Sequence, residues 1–359
     1  MNESISIIPN ADGVTADFIN AQLNSHGHPV QISAISSEPV GAGQVGDTYR
    51  YHLQHESAAS EFPRVMIGKH HSANTDSRAV AKQLSLYRNE ALFYKHIAPS
   101  AGICSPHAYL VMHDDSDRFL MLLEDVSPAR VGDQLGLTTE REARMAVLEA
   151  AKLHASHWGR NDIVSKGYIQ APDLAQGIGS PAAIQQCWDG FKARFGDIVC
   201  APHLKIVERF VKNNSHWNRP LDRPRCITHN DYRPENMLFS EIENSKHPLY
   251  VVDWQTLSFN YGASDVAYFL GGSFEENQLA IMQELLLPEY YDALCSQGVS
   301  DYSYAQFYRD YQYFSFAGLT ITIIASMSVK RTERGDQLFN KMLSRYCHQI
   351  EINDAARFL

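Results

Sequence analysis

Two rhythms of apolar and polar positions run along this chain, and they change over near residue 125. Ahead of that point the apolar residues come in short runs, several alternating with polar ones as a half-buried strand requires. Residues 31–40, 48–54 and 64–70 read as strands, most clearly in Thr48-Tyr49-Arg50-Tyr51-His52-Leu53-Gln54. Residues 56–63 read as a loop, and 108–112 with 119–123 as a hairpin across Asp114-Asp115-Ser116-Asp117. Two stretches follow the helical period instead. Residues 15–26 place Phe18, Ile19 and Leu23 on one face behind a Thr15 cap; residues 76–96 do the same with Leu84, Tyr87, Ala91 and Tyr94.

From residue 139 the pattern is mainly helical. Thr139 with Glu142 three positions later is a capping-box signature, opening a helix to about residue 158. A Gly/Pro-punctuated connection at 167–181 precedes helices reaching about residue 214. A hairpin with 241–248 as its polar turn interrupts them, and helices resume from 263 to the end. The apolar stretch 314–327 is broken by serines, threonines and a glycine; it is too short to span a bilayer and reads as a core helix. The expected fold class is α+β: a small antiparallel β lobe with one key helix over 1–125, then a larger helical lobe over 126–359.

Composition narrows the function without naming it. At 359 residues with 44% hydrophobic and 20% charged positions, the chain has an ordinary globular balance. A net charge of -10 and scattered basic residues argue against nucleic acid as a partner, and are compatible with a cationic substrate. Six cysteines without a Cys-x-x-Cys pair read as reduced thiols, and no apolar leader follows a basic region, so a cytoplasmic location is expected. No protein partner is evident.

The chemistry concentrates in Thr228-His229-Asn230-Asp231-Tyr232-Arg233-Pro234-Glu235-Asn236 and in Val251-Val252-Asp253-Trp254-Gln255. Phosphoryl transfer from a magnesium nucleotide needs a carboxylate to accept or orient the attacking hydroxyl, and oxygen donors to hold the metal. Asp231 fits the first need; Asn236 and Asp253 fit the second. Gly41-Ala42-Gly43-Gln44-Val45-Gly46 is a Gly-x-Gly-x-x-Gly loop, a weak signal alone because dinucleotide folds share it. Here a strand follows rather than a helix, so Gly41, Gly43 and Gly46 would let backbone N–H groups lie over phosphates. Lys69 ends a strand where a kinase keeps its phosphate-pairing lysine, and Glu90 on the next helix could fix its ammonium. Glu124 and Val126 follow a buried strand and could offer backbone groups to an adenine edge. His229 reads as a scaffold residue with Asp265 as its partner in orienting the loop.

His229-x-Asp231-x-x-Pro234-x-Asn236 resembles the His-Gly-Asp-x-x-Pro-x-Asn loop of the aminoglycoside phosphotransferase and choline kinase superfamily, and Asp253 its metal aspartate. Residues 123–126, 151–158 and 291–294 resemble segments of its ecdysteroid-kinase-like and related bacterial branches. The resemblance implies a bilobal protein-kinase-like fold, ATP and Mg2+ as cofactors, and a small-molecule alcohol as acceptor. It covers roughly residues 41–325. Asn230 stands where the superfamily has glycine, so a left-handed backbone must accept a side chain there. Trp254-Gln255 replaces the Phe-Gly of protein kinases, and no Ala-Pro-Glu segment follows, which argues against a protein kinase switched by loop phosphorylation. Arg233 is similar to the Asp-Tyr-Arg form of acyl-CoA-dehydrogenase-associated kinase-like proteins, where a phosphate or anionic substrate is a conceivable contact.

The remaining alternatives are specific. A nucleotide-binding pseudokinase would keep these residues without turnover, and an aminoglycoside- or choline-type kinase would need a more acidic acceptor site. A nicotinamide oxidoreductase would need a ribose-binding acid that cannot be placed. From 273 to the end there are 11 acidic and 7 basic residues amid many Tyr and Phe, favouring a largely apolar hydroxylated metabolite. His154 and His157 lack a third ligand and read as core. The aromatic run Tyr302, Tyr304, Phe307, Tyr308, Tyr311, Phe314 serves either core or pocket.

Overall fold

Strand alternation and helical amphipathy resolve, in the computed structural model, into ten strands and twelve α-helices among the described residues. Those are residues 8–359 except 29, 42–44, 56–61, 115, 117, 176 and 178. In chain order they are α1 (Ala16–Ser25), β1 (Ile32–Pro39), β2 (Gly46–His55), β3 (Val65–His71), α2 (Thr75–Gln83), α3 (Leu86–Leu92), β4 (Ala108–His113), β5 (Phe119–Glu124), β6 (Ala129–Val131) and α4 (Glu140–Ser156). Then follow α5 (Asp162–Ser165), α6 (Pro181–Phe195), α7 (Ala201–Trp217), β7 (Cys226–Thr228), β8 (Met237–Ser240), β9 (Leu249–Val251) and β10 (Ser258–Asn260). The C-terminal helices are α8 (Ala263–Ser273), α9 (Glu276–Ser296), α10 (Tyr304–Tyr313), α11 (Phe316–Ser328) and α12 (Glu333–Ile352). The chain divides into two compact units. One comprises residues 1–100, 104–129 and 240–256; the other 101–103, 130–239 and 257–359.

The first unit is built on an antiparallel sheet of order β1-β2-β3-β5-β4. Every second residue faces one side, so Tyr51, Leu53, Met66, Leu110, Leu120 and Leu122 form a common apolar layer. Ile19 and Leu23 of α1 close over it, with Thr15 accepting the Phe18 N–H at the helix start as expected. The expected continuous helix over 76–96 is broken. Ser85 adopts a left-handed conformation at φ 56°, separating α2 from α3, and a π-helical turn (Phe93–Ile97) follows. Helix α2 is polar and buries only Ala81, so nothing anchors it in line with α3. The break frees α3 to turn Tyr87, Glu90 and Ala91 inward, and leaves Leu84 36% exposed rather than on the expected face.

In the second unit the Thr139–Glu142 capping box forms in full. Thr139→Ala should lower unfolding stability by about 1 kcal/mol, read by chemical denaturation. An unchanged midpoint would show that the cap contributes nothing. Helix α8 is buried along its whole length, and α11 buries Phe316, Leu319 and Ile323 as the core helix expected. A Cβ on Gly318 would sit 2.0 Å from the Tyr346 ring of α12, so only glycine permits this approach. The aromatic run splits: Phe307, Tyr311 and Phe314 are core, while Tyr304 and Tyr308 face outward. Among the described residues no helix is long and apolar enough to cross a membrane.

Candidate active site

A lysine near the end of an interior strand can contact a phosphate only if something holds its flexible stem. Lys69 on β3 donates to Glu90 of α3 at 2.6 Å and lies 3.4 Å from Asp253. Glu90 is fully buried. Burial works against the Lys69 charge, but Glu90 and Asp253 outweigh it and hold the ammonium above its ordinary pKa. Burial likewise pushes the Glu90 carboxyl up, with Lys69 pulling the other way. The segment after Asp253 buttresses this pair. Trp254 stacks on Phe93 with centroids 3.8 Å apart, Gln255 donates to Glu90 at 3.4 Å, and Asn89 donates to the Gln255 carbonyl at 3.1 Å. Asp253 itself is left-handed, at φ 69°. The Trp-Gln pair that replaces Phe-Gly therefore fixes the helix that carries Glu90.

Gly41 (φ +70°) and Gly46 flank the glycine turn; the tip with Gly43 lies outside the described residues. Gly46 pairs with His71, and a Cβ there would come within 2.8 Å of the His70 carbonyl. At the end of β5, Glu124 exchanges backbone and side-chain hydrogen bonds with His107, and Asp125 pairs with Arg50 at 2.8 Å. Val126 has no hydrogen-bond partner among the described residues. The Glu124 N–H is taken by the His107 carbonyl at 2.8 Å.

Residues 229–236, the candidate catalytic loop, sit in the second unit, between β7 and β8. Buried Asp265 of α8 accepts the backbone N–H groups of His229 at 2.6 Å and Asn230 at 2.9 Å. It thus orients the loop as expected, through main-chain groups. Asn230 sits at φ 62°, the left-handed backbone anticipated where glycine is usual. His154 Nε2 lies 3.3 Å from Asp265 and Nδ1 2.7 Å from the Tyr290 hydroxyl. A carboxylate only accepts, so Nε2 donates to Asp265 and Nδ1 accepts from Tyr290. That is a core histidine rather than a metal ligand.

Three donors surround Asp231. Asn236 Nδ2 reaches it at 2.8 Å, Arg233 Nε at 3.0 Å and the Tyr268 hydroxyl at 3.2 Å. Burial, then the charge on Asp231, push the Tyr268 phenol well above its usual pKa, so it keeps the proton it donates. Burial opposes the Arg233 charge, but Asp231, Tyr268 and Glu235 outweigh it and hold the guanidinium above its ordinary range. A carboxylate offers about four lone-pair directions, so three donors leave room for roughly one hydroxyl. Arg233 also binds Glu235 at 2.6 Å and Gln134 at 3.3 Å. In this state it is a brace for Asp231 rather than a free anion contact.

The family model described as the ecdysteroid kinase-like family matches residues 41–298, most of the chain. The chain belongs to that family. No curated protein matches the chain. Among solved structures it is similar to Plasmodium vivax ethanolamine kinase Pv091845, with 10% identity, 88% of this chain and 83% of that one covered, and TM-score 0.54. It is also similar to the GDP and kanamycin complex of APH(2")-IIia, with 12% identity, coverage of 95% and 97%, and TM-score 0.51. A third is the GDP complex of wild-type aminoglycoside 2'-phosphotransferase-IIIa, with 11% identity, coverage of 95% and 99%, and TM-score 0.50. At such identities these similarities establish the fold alone, the α+β fold of protein-kinase-like phosphotransferases.

Within this member of the ecdysteroid kinase-like family, the structure gathers Lys69, Glu90 and Asp253 in the first unit. It gathers His229, Asp231, Arg233, Asn236 and Asp265 in the second. Tyr268 and Gln255 were not anticipated from the sequence. The available signal for Tyr268 was a hydroxyl-bearing residue in the otherwise apolar stretch Val266-Ala267-Tyr268-Phe269-Leu270.

Proposed function

We propose that this chain transfers the γ-phosphate of ATP to a hydroxyl of a small molecule. The Lys69–Glu90 ion pair carries the proposal, because a desolvated pair touching Asp253 is costly to keep for stability alone. In this assignment Lys69 pairs with nucleotide phosphates, the backbone at 41–46 lies over them, and Val126 meets the base. Asp231 takes the acceptor hydroxyl at its remaining lone-pair direction and orients it for attack.

The donor chemistry suits magnesium. Asn236 uses its N–H group on Asp231, leaving Oδ1 without a partner among the described residues, and the Asp253 carboxylate is 40% exposed. Both are hard oxygen donors. A metal held by donors of this kind would offset charge on the phosphates.

The acceptor we propose is a largely apolar hydroxylated metabolite, in keeping with the ecdysteroid kinase-like assignment. The aromatic run supports this less than its composition implied, since Phe307 and Tyr311 are fully buried core. Two similar structures hold GDP, so the nucleotide preference needs measuring. Calorimetric titration with ATP and GTP should show saturable ATP binding, tightened by magnesium. Absence of binding by either nucleotide would refute the proposal.

A further inference from the structure

We propose that the first unit carries a second anion site, which takes a phosphate group and is distinct from the nucleotide-binding residues. A cavity of about 470 Å³ opens where the end of β3, the start of α2 and the β4–β5 turn meet residues 8–10. It is lined by the cationic side chains Arg78 and Arg118, by His71, and by the polar side chains Ser116 and Asn10. No acidic residue is among the described residues that line it. In a chain of net charge -10, the described lining of this concavity is cationic, with two guanidinium groups.

The donors are available. The Arg118 side chain has no hydrogen bond or ion pair among the described residues. Arg78 uses Nη1 on the carbonyls of Ser72 and Ala73, at 2.7 and 3.1 Å, which leaves Nε and Nη2. His71 is more than nine-tenths buried, with Nδ1 at the Phe119 backbone and Nε2 without a partner among the described residues. Two nearby carboxylates are engaged by backbone groups: Asp47 accepts the Ala73 N–H, and Asp114 accepts those of Ser116 and Arg118. Two guanidiniums suit a tetrahedral oxyanion through paired N–H donors. Ile8 and Pro9 give the remaining wall an apolar surface for a carbon body.

An occupant would touch the connection between the strand bearing Lys69 and the helix bearing Glu90. Arg78 already grips Ser72, whose N–H donates to the Tyr87 hydroxyl of α3 at 2.9 Å.

The test titrates the full chain with inorganic phosphate and with phenyl phosphate, by calorimetry and by melting temperature. Both should bind saturably, and Arg118→Gln, which breaks no hydrogen bond or ion pair among the described residues, should weaken both by about tenfold or more. Arg78→Gln should do likewise, and Lys69→Met combined with Glu90→Leu, which removes the ammonium without stranding a buried carboxylate, should leave phosphate affinity unchanged. Tighter phenyl phosphate binding would assign a phosphorylated metabolite, and equal binding would assign free phosphate; either supports the site. Failure to saturate by about 10 mM would overturn it. So would binding that survives Arg118→Gln but is lost in Lys69→Met with Glu90→Leu, because the phosphate would then sit with the nucleotide-binding residues.

Discussion

Asp231→Asn should slow phosphate-ester formation by about 100- to 10,000-fold while leaving ATP affinity within a factor of about two. The carboxylate accepts from Asn236, Arg233 and Tyr268, and its remaining capacity is what an acceptor hydroxyl would use. An amide at this position has one acceptor oxygen in place of two. Its NH2 would face the donors of Arg233 and Asn236, so the loop would lose both its ion pair and its capacity to orient a hydroxyl. Lys69, Glu90 and Asp253 belong to the other unit. Initial rates with calorimetric ATP titration check both halves. Unchanged turnover would remove Asp231 from the chemistry, and loss of ATP binding would show a larger structural role.

Lys69→Met should destabilise the chain by about 3 to 5 kcal/mol, besides weakening ATP binding. Glu90 is fully buried, and without the ammonium its remaining partner among the described residues is a 3.4 Å contact from Gln255. An uncompensated buried carboxylate must either remain charged at high cost or take up a proton. Replacing both members, as in Lys69→Met with Glu90→Leu, should recover most of that stability without restoring nucleotide affinity. Denaturation midpoints and ATP titrations on the single and double variants separate the two effects. A single variant as stable as the parent would mean the pair is not desolvated as its geometry indicates.

Local rules carried the reading of the first unit a long way. Alternation marked β2 and β3 because one face of each packs on Ile19 and Leu23. The Thr139–Glu142 spacing marked α4 because a capping box is contained within four residues. The break at Ser85 was not legible, since the apolar spacing from Leu84 to Tyr94 continues unbroken across it. What decides that break is which side of α3 is buried, a tertiary fact. Segment Ser240–Thr256 groups with the first unit although it follows more than a hundred residues of the second. A single cut at residue 125 cannot express such a return.

The conformation of the 228–236 loop was legible for the opposite reason, that its backbone restricts residue types. Asn230 could be expected at positive φ because few side chains tolerate that conformation, and it stands at 62°. Tyr268 was hidden. Its ring belongs to the apolar face of α8 and stacks on Tyr346, so only its hydroxyl, 3.2 Å from Asp231, reveals a polar role. Gln255 was hidden likewise, since its partner Glu90 lies 165 positions away in sequence.

Incubating the purified chain with γ-labelled ATP, magnesium and a broad panel of hydroxylated small molecules tests the central claim most directly. The account predicts a labelled phosphate ester on a small alcohol, formed by the parent chain and lost in Asp231→Asn. Binding of ATP and magnesium without transfer to any alcohol, or label appearing only in peptides, would contradict it.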